Sequence, residues 1–88
     1  MSRILEQIRS GKRKLVVSLY SPGGMENSYV ECDTIEEARE LLAIPLNKGW
    51  QRRLPAWQWD AYGDFDPYGP EVQAVENEVS SVKAAVTQ

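Results

Sequence analysis

Hydrophobic residues recur at helical spacing near the start of the chain. Three of them share one face of residues 2–10, and Ser10-Gly11 supplies a stop, which predicts a first helix. That face consists of Ile4, Leu5 and Ile8. Because so short a helix is marginal alone, it must pack against the rest of the protein.

A second helix is predicted after residue 33. Thr34 and Glu37 form a T-x-x-E capping box, in which each side chain can satisfy a free backbone N–H at the helix start. The helix is expected to end near Ala43–Ile44, because Pro45 disfavours helical geometry in the residue before it. Its apolar stripe consists of Ile35, Ala38, Leu41 and Leu42.

Between these helices the pattern changes to that of strands. Residues 12–20, KRKLVVSLY, are apolar and β-branched after a basic start, and residues 28–33, SYVECD, alternate between two faces. One face carries Ser28, Val30 and Cys32, and the other carries Tyr29, Glu31 and Asp33. The intervening Pro and Gly residues predict an antiparallel hairpin with a loop of about six residues.

A third strand is predicted from Ala56 to Tyr62. Trp57 and Trp59 alternate with polar residues, which would place both indoles on one face, and at least one of them is expected in the core. The glycines, proline and acids of residues 63–69 then predict a loop.

The last segment, residues 70–86, has the strongest helical periodicity. Its valines are spaced 3, 4, 3 and 4 residues apart: Val72, Val75, Val79, Val82 and Val86. Two interpretations are open. The seam packs on the domain's own sheet, which is favoured because two heptads are fewer than a coiled coil needs, or it pairs with a partner helix or a second copy of the chain.

Together these elements predict an α+β fold. Residues 1–88 are expected to form one small domain, in which an antiparallel hairpin and a third strand pack with two or three helices on one face.

The composition removes several classes of function. The chain has no histidine, which excludes His-based triads, Cys–His dyads and HExxH zinc sites. Cys32 is the only cysteine, so no intrachain disulfide can form. The longest apolar run has four residues, and no secretory signal is recognisable, so we expect a cytoplasmic protein without a membrane span. No cofactor, structural metal or catalytic residue is predicted.

The charge is unevenly distributed. Residues 1–53 carry nine Lys/Arg and seven Asp/Glu, whereas residues 54–88 carry one Lys and six Asp/Glu, within an overall net charge of −3. Residues 55–72 alone hold four carboxylates and five of the eight aromatic residues. This asymmetry suggests a surface that faces a charged partner.

Two kinds of chemical site are suggested by the acidic stretch, and the neighbouring residues argue against both. Asp60, Asp64, Asp66 and Glu71 approach the ligand spacing of an EF-hand, but Phe65 replaces the required Gly and Tyr62 replaces an oxygen ligand. The same aspartates could form a carboxylate active site. Acids on a Gly/Pro loop are more often solvated turn residues, however, and so small a domain offers little volume for a substrate pocket.

A small nucleic-acid-binding domain is an alternative. If the strands they flank are neighbours, six cations could share one sheet edge, with Tyr20, Tyr29 or Trp50 as stacking platforms. These cations are Lys12, Arg13, Lys14, Lys48, Arg52 and Arg53. The low pI of about 4.9 argues against this alternative.

The preferred hypothesis is a non-enzymatic protein-binding module, an inhibitor or adaptor. It would dock an acidic-aromatic loop, residues 62–71, on a basic and possibly nucleic-acid-binding surface of a partner protein. The expected contacts are Tyr62, Asp64, Phe65, Asp66, Tyr68 and Glu71. In size and charge alone the chain is similar to many bacteriophage inhibitors of host proteins, including anti-CRISPR proteins. A homodimer through the valine seam would be compatible with this role.

Overall fold

The computed structural model describes residues 3–60 and 66–86, and for residues 60 and 81–86 the backbone only. The elements in chain order are α1 (Arg3–Arg9), β1 (Leu15–Tyr20), β2 (Glu26–Cys32), α2 (Ile35–Ala43), β3 (Gln51–Arg53), α3 (Trp57–Asp60) and α4 (Pro70–Val86). The α+β prediction is confirmed. No helix in the described ranges is both long and apolar enough to cross a membrane.

The sheet has the order β2-β1-β3, with β1 antiparallel to both neighbours. The predicted hairpin is therefore correct, with a loop of residues 21–25. Ser21 and Met25 close this loop through a backbone hydrogen bond of 2.9 Å, and Gly24 takes a positive φ of 86° that favours glycine. The β1–β2 register shifts between Leu19 and Tyr20, where β2 carries a bulge.

The core lies on one face of the sheet. Leu15 and Val17 of β1 and Cys32 of β2 join apolar residues of α1, α2 and α4 in one cluster. The helical residues of this cluster are Ile4, Ile8, Ile35, Ala38, Val72, Val75 and Val79, with Trp59 of α3. Burial of these side chains supplies the main driving force for folding.

The boundaries of α2 match the prediction. Thr34 Oγ1 accepts a hydrogen bond from the Glu37 N–H at 3.1 Å, and Glu37 Oε1 accepts from the Thr34 N–H at 3.2 Å, so the capping box is complete. Arg39 then ties α2 to α4, because its guanidinium donates to the Glu78 carbonyl at 2.7 and 3.2 Å.

The predicted third strand is wrong over residues 56–60, and residues 61 and 62 lie outside the described part of the chain. The strand is instead β3, three residues long, and Trp57–Asp60 form the short helix α3. Residues two positions apart in a helix are separated by about 200° around its axis. The indoles of Trp57 and Trp59 therefore diverge instead of sharing a face. Trp59 is 1% exposed in the core, as expected of at least one indole, whereas Trp57 is 40% exposed.

Candidate functional site

The predicted acidic-aromatic loop is described from residue 66 onward. Asp66 Oδ1 accepts a hydrogen bond from the Tyr68 N–H at 2.9 Å, and the Asp66 carbonyl accepts from the Gly69 N–H at 2.9 Å. A Cβ at Gly69 would approach Asp66 to 3.2 Å, so this tight turn favours glycine. The turn leaves Tyr68 90% exposed. Tyr62, Asp64 and Phe65 lie outside the described residues.

Glu71, the last residue of that predicted surface, also has a structural role. Its Oε1 accepts from the Arg3 N–H at 2.7 Å, and its Oε2 lies 3.6 Å from the Arg3 guanidinium. The carboxylate therefore joins the start of α4 to the start of α1. Of the predicted contact residues that the structure describes, Asp66 and Tyr68 are exposed and Glu71 is half-buried.

A second acidic-aromatic surface lies on the sheet face opposite the core. Side chains alternate along β1, so Val16 and Ser18 point away from the face of Leu15 and Val17. Their partners on β2 are Glu31 and Tyr29, which therefore lie on this outer face. Both β2 side chains are exposed.

The bulge in β2 brings Glu26 to the same face. Leu19 pairs with Ser28 but Tyr20 pairs with Glu26, so Asn27 is the extra residue. Without that extra residue the strict alternation would point Glu26 to the core side. The bulge thus gathers Glu26, Tyr29 and Glu31 on one face.

Trp57 of α3 completes this arrangement. Its Nε1–H donates to Glu26 Oε1 at 2.6 Å, and its ring meets that of Tyr29 edge-on, with centroids 5.4 Å apart and an angle of 73°. We call Glu26, Tyr29, Glu31 and Trp57 the outer-face cluster. Tyr29 is 55% exposed, so the cluster presents two amphipathic rings beside two carboxylates to solvent.

The outer-face cluster was not predicted from the sequence. The alternation of β2 did place Tyr29 and Glu31 on one side, but the contribution of Glu26 depends on the bulge. That of Trp57 depends on a contact across 28 positions of the chain. Neither is visible in local periodicity.

The six cations of the nucleic-acid alternative do not share one edge. β1 and β3 are neighbours but antiparallel: Arg53 lies opposite Ser18, whereas residues 12–14 precede the other end of β1. At about 3.4 Å per residue, Ser18 lies roughly 10 Å along the strand from Leu15. Lys48 belongs to the hairpin-loop end, because a Cβ at the next residue, Gly49, would lie 3.1 Å from Pro22.

Several of these cations are also engaged within the protein. Arg13 is 8% exposed and its Nε donates to Gln7 Oε1 at 3.0 Å. Lys14 forms an ion pair with Asp33, whose hydrogen bond and charge raise the pKa of the ammonium group. The Arg53 guanidinium lies 4.2 Å from the ring centroid of Tyr20. These contacts, with the separation of the two groups, weaken the case for a nucleic-acid surface.

The valine seam is used within the domain where it is described. Val72, Val75 and Val79 are 1%, 0% and 4% exposed, each in the core cluster. Packing on the chain's own core was the favoured interpretation, and it accounts for these three. The side chains of Val82 and Val86 lie outside the description, and a homodimer through the seam stays a prediction.

Among the surface hollows that the described residues form, two lie between several elements and have charged or aromatic side chains in their lining. One, of about 370 Å³, lies between α1, α2 and α4, and both of its arginines are paired with a carboxylate. Glu78 pairs there with Arg9 at 3.1 Å and with Arg39 at 3.3 Å. The other, of about 440 Å³, is lined by Tyr20, Arg53, Trp59 and Tyr68 among others. It therefore connects the exposed turn at Tyr68 with the outer face at Tyr20.

In the described part of the chain, no group of three or more carboxylate or thiol side chains lies close enough together to hold a metal ion. Of the EF-hand-like positions, Asp64 and the side chain of Asp60 lie outside that part. Asp66 and Glu71 accept backbone hydrogen bonds instead.

Comparison with protein-family models, with curated proteins and with solved structures finds no significant match to this chain.

Proposed function

We propose that this protein is a binding module that docks on a basic surface of a partner protein. The observation that carries the proposal is the Tyr29–Trp57 pair, two solvent-facing aromatic rings fixed edge-to-face with the carboxylates of Glu26 and Glu31 on the same face. Aromatic side chains dominate the centres of protein interfaces, because they bring large contact area at low rotamer cost.

The geometry of the pair suits this role because it is already ordered. The hydrogen bond from Trp57 to Glu26 and the contact with Tyr29 restrict rings that would otherwise lose freedom on binding. Less entropy is then lost when the complex forms. The carboxylates favour a cationic partner, since a basic surface is attracted at long range and an acidic one is repelled.

The turn at Asp66 and Tyr68 is proposed as a second part of the same surface. Tyr68 projects into solvent from a hydrogen-bonded turn, and it shares the larger hollow with Tyr20, which pairs with Glu26 in the sheet. A partner that covers Tyr20 would contact both parts. The proposed surface also includes Tyr62, Asp64 and Phe65 of the predicted loop.

An inhibitory role follows if the partner's basic surface is one that binds nucleic acid. The carboxylates of this protein would then compete with phosphate groups for the same Lys and Arg side chains. An adaptor role would instead leave that surface available to a further component. Both roles need the same docking contacts.

Charge reversal in the outer-face cluster tests the proposal. The wild-type chain is immobilised on a support and exposed to lysate of its source cells. It should capture a partner protein, and the amount captured should fall as the salt concentration rises. Glu31→Lys should abolish that capture, and Glu40→Lys should leave it intact, since Glu40 is an exposed glutamate on α2. Equal capture by both variants, with unchanged melting temperatures, would overturn the assignment of the surface. Asp66→Lys with Tyr68→Ala tests the turn separately.

A further inference from the structure

β2 is an edge strand whose free backbone groups can be assigned. The N–H and C=O of Val16 are bonded by Gln58, and Ser18 and Tyr20 pair with β3, so these residues point their backbone groups away from β2. The alternate residues of β1 must then bond β2. Their partners are Cys32, Val30 and Ser28.

It follows that Tyr29 and Glu31 direct their N–H and C=O groups outward, because successive residues of a strand point these groups to opposite sides. Within the described residues no strand pairs with that side of β2. Six of the seven β2 residues are exposed, and Val30 is 50% exposed. The free edge and the outer-face cluster thus share Tyr29 and Glu31.

The charge of β2 discriminates between possible occupants of this edge. The strand carries Glu26 and Glu31 and no Lys or Arg. A second copy pairing edge to edge would bring four carboxylates together without a cation from either strand, and like charges facing each other across strands are destabilising. An added strand with Lys or Arg at alternate positions would instead place its cations beside these carboxylates.

The same alternation would bring those cations to the aromatic rings. In an added antiparallel strand, the residues opposite Tyr29 and Glu31 share the outer face. A Lys or Arg there lies within reach of the Tyr29 ring for a cation–π contact and of the Glu31 carboxylate for an ion pair. Backbone pairing and side-chain chemistry therefore select the same ligand.

We propose that β2 binds an extended, basic segment of a protein partner by strand addition, with the main-chain groups of Tyr29 and Glu31 as its pairing partners. This inference rests on the proposed function, because it names the ligand of the same surface. Main-chain hydrogen bonds would give affinity that tolerates sequence variation, and the outer-face cluster would select for alternate cations.

Amide hydrogen exchange with a defined probe tests strand addition. The probe is an eight-residue peptide of alternating Lys and Val, added to the isotope-labelled full chain and observed by NMR. Binding should slow exchange of the Tyr29 and Glu31 amides by about tenfold or more at saturation. The Ser28 and Val30 amides, already bonded to β1, should change little. An alternating Glu and Val peptide is the matched control and should not bind.

A second probe separates backbone pairing from side-chain docking. The same Lys/Val peptide with alternate backbone amides N-methylated keeps its charges but cannot complete a ladder, so it should bind at least about tenfold more weakly. Equal binding of the two peptides, or binding without protection at Tyr29 and Glu31, would overturn strand addition while leaving the proposed docking function standing. Absence of binding at about 1 mM would also overturn it.

The same experiments also test whether a second copy occupies the β2 edge and whether the proposed function holds. Protection of Tyr29 and Glu31 that appears without peptide and grows with protein concentration would show that a second copy occupies the edge, against the inference. If Glu31→Lys leaves both peptide binding and lysate capture unchanged, the proposed function itself fails.

Discussion

Gln58 bonds both backbone polar groups of Val16. Its Oε1 accepts from the Val16 N–H at 2.9 Å and its Nε2 donates to the Val16 carbonyl at 3.0 Å. β3 covers β1 only from Ser18 to Tyr20, so the edge of β1 at Val16 has no strand beside it in the described sheet. The side-chain amide of Gln58 takes the place of the missing strand residue.

We predict that Gln58→Met destabilises the fold by about 2–4 kcal/mol, because two buried backbone groups lose their hydrogen bonds in a side chain of similar size. Gln58 is 3% exposed, so water cannot readily replace it. The measurement is the free energy of unfolding from urea titration followed by tryptophan fluorescence.

Gln73→Met is the matched control, since Gln73 is exposed on α4. It should change stability by no more than about 0.5 kcal/mol. A Gln58→Met chain as stable as the wild type would show that the amide contributes nothing to the sheet.

Gln58 also shows why the third strand was misplaced by sequence reasoning. The segment from Trp57 to Asp60 alternates apolar and polar residues, but over so few positions alternation does not distinguish a strand from a helical turn. The backbone bonds from Gln58 N–H to Pro55 and from Trp59 N–H to Ala56 fold it into that turn. The side-chain amide then still reaches the edge that a strand would have covered.

The predictions that held rest on local interactions. The capping box of Thr34 and Glu37 is formed within four consecutive residues, and the periodicity of α4 is repeated over its whole length. The outer-face cluster depends on a one-residue bulge and on a contact between Tyr29 and Trp57 that are far apart in the chain. An inserted bulge residue and a contact between residues far apart in the chain both lie outside what local periodicity can predict.

The Tyr29–Trp57 contact should have a measurable coupling energy. In a double-mutant cycle with Tyr29→Leu and Trp57→Leu, we expect about 0.5–1.5 kcal/mol of coupling in the free energy of unfolding, typical of edge-to-face aromatic pairs. A control cycle combines Trp57→Leu with Tyr20→Leu, since the Tyr20 ring packs under the Arg53 guanidinium. Strict additivity of the Tyr29 and Trp57 variants would mean that the rings are not held together in solution.

The carboxylate of Glu37 in the capping box should contribute about 1 kcal/mol to the free energy of unfolding. Glu37 Oε1 accepts backbone N–H groups from Asp33 at 2.6 Å and from Thr34 at 3.2 Å. Glu37→Ala is therefore expected to lower the free energy of unfolding by about 1 kcal/mol, measured by urea denaturation. Glu40→Ala, in the same helix and exposed, should cost less than half as much, and equal costs would count against the capping role.

The Cys32 thiol should react slowly with alkylating reagents in the folded protein. Its burial raises its pKa, and the negative charges of Glu37 and Asp33 act in the same direction. Since the thiolate is the reacting species, the iodoacetamide rate should rise at higher pH than the roughly 8.5 of a free cysteine. The same chain in concentrated urea is the matched control and should react faster.

This raised pKa also predicts how stability depends on pH. Above about pH 8.5 the unfolded chain releases the thiol proton while the folded protein retains it, so the free energy of unfolding should fall as pH rises. Cys32→Ala should be less stable at neutral pH, because it leaves a small cavity, yet should lack this particular decline at high pH. If the wild type and Cys32→Ala have the same pH slope between about 8 and 10, the thiol does not titrate differently on folding.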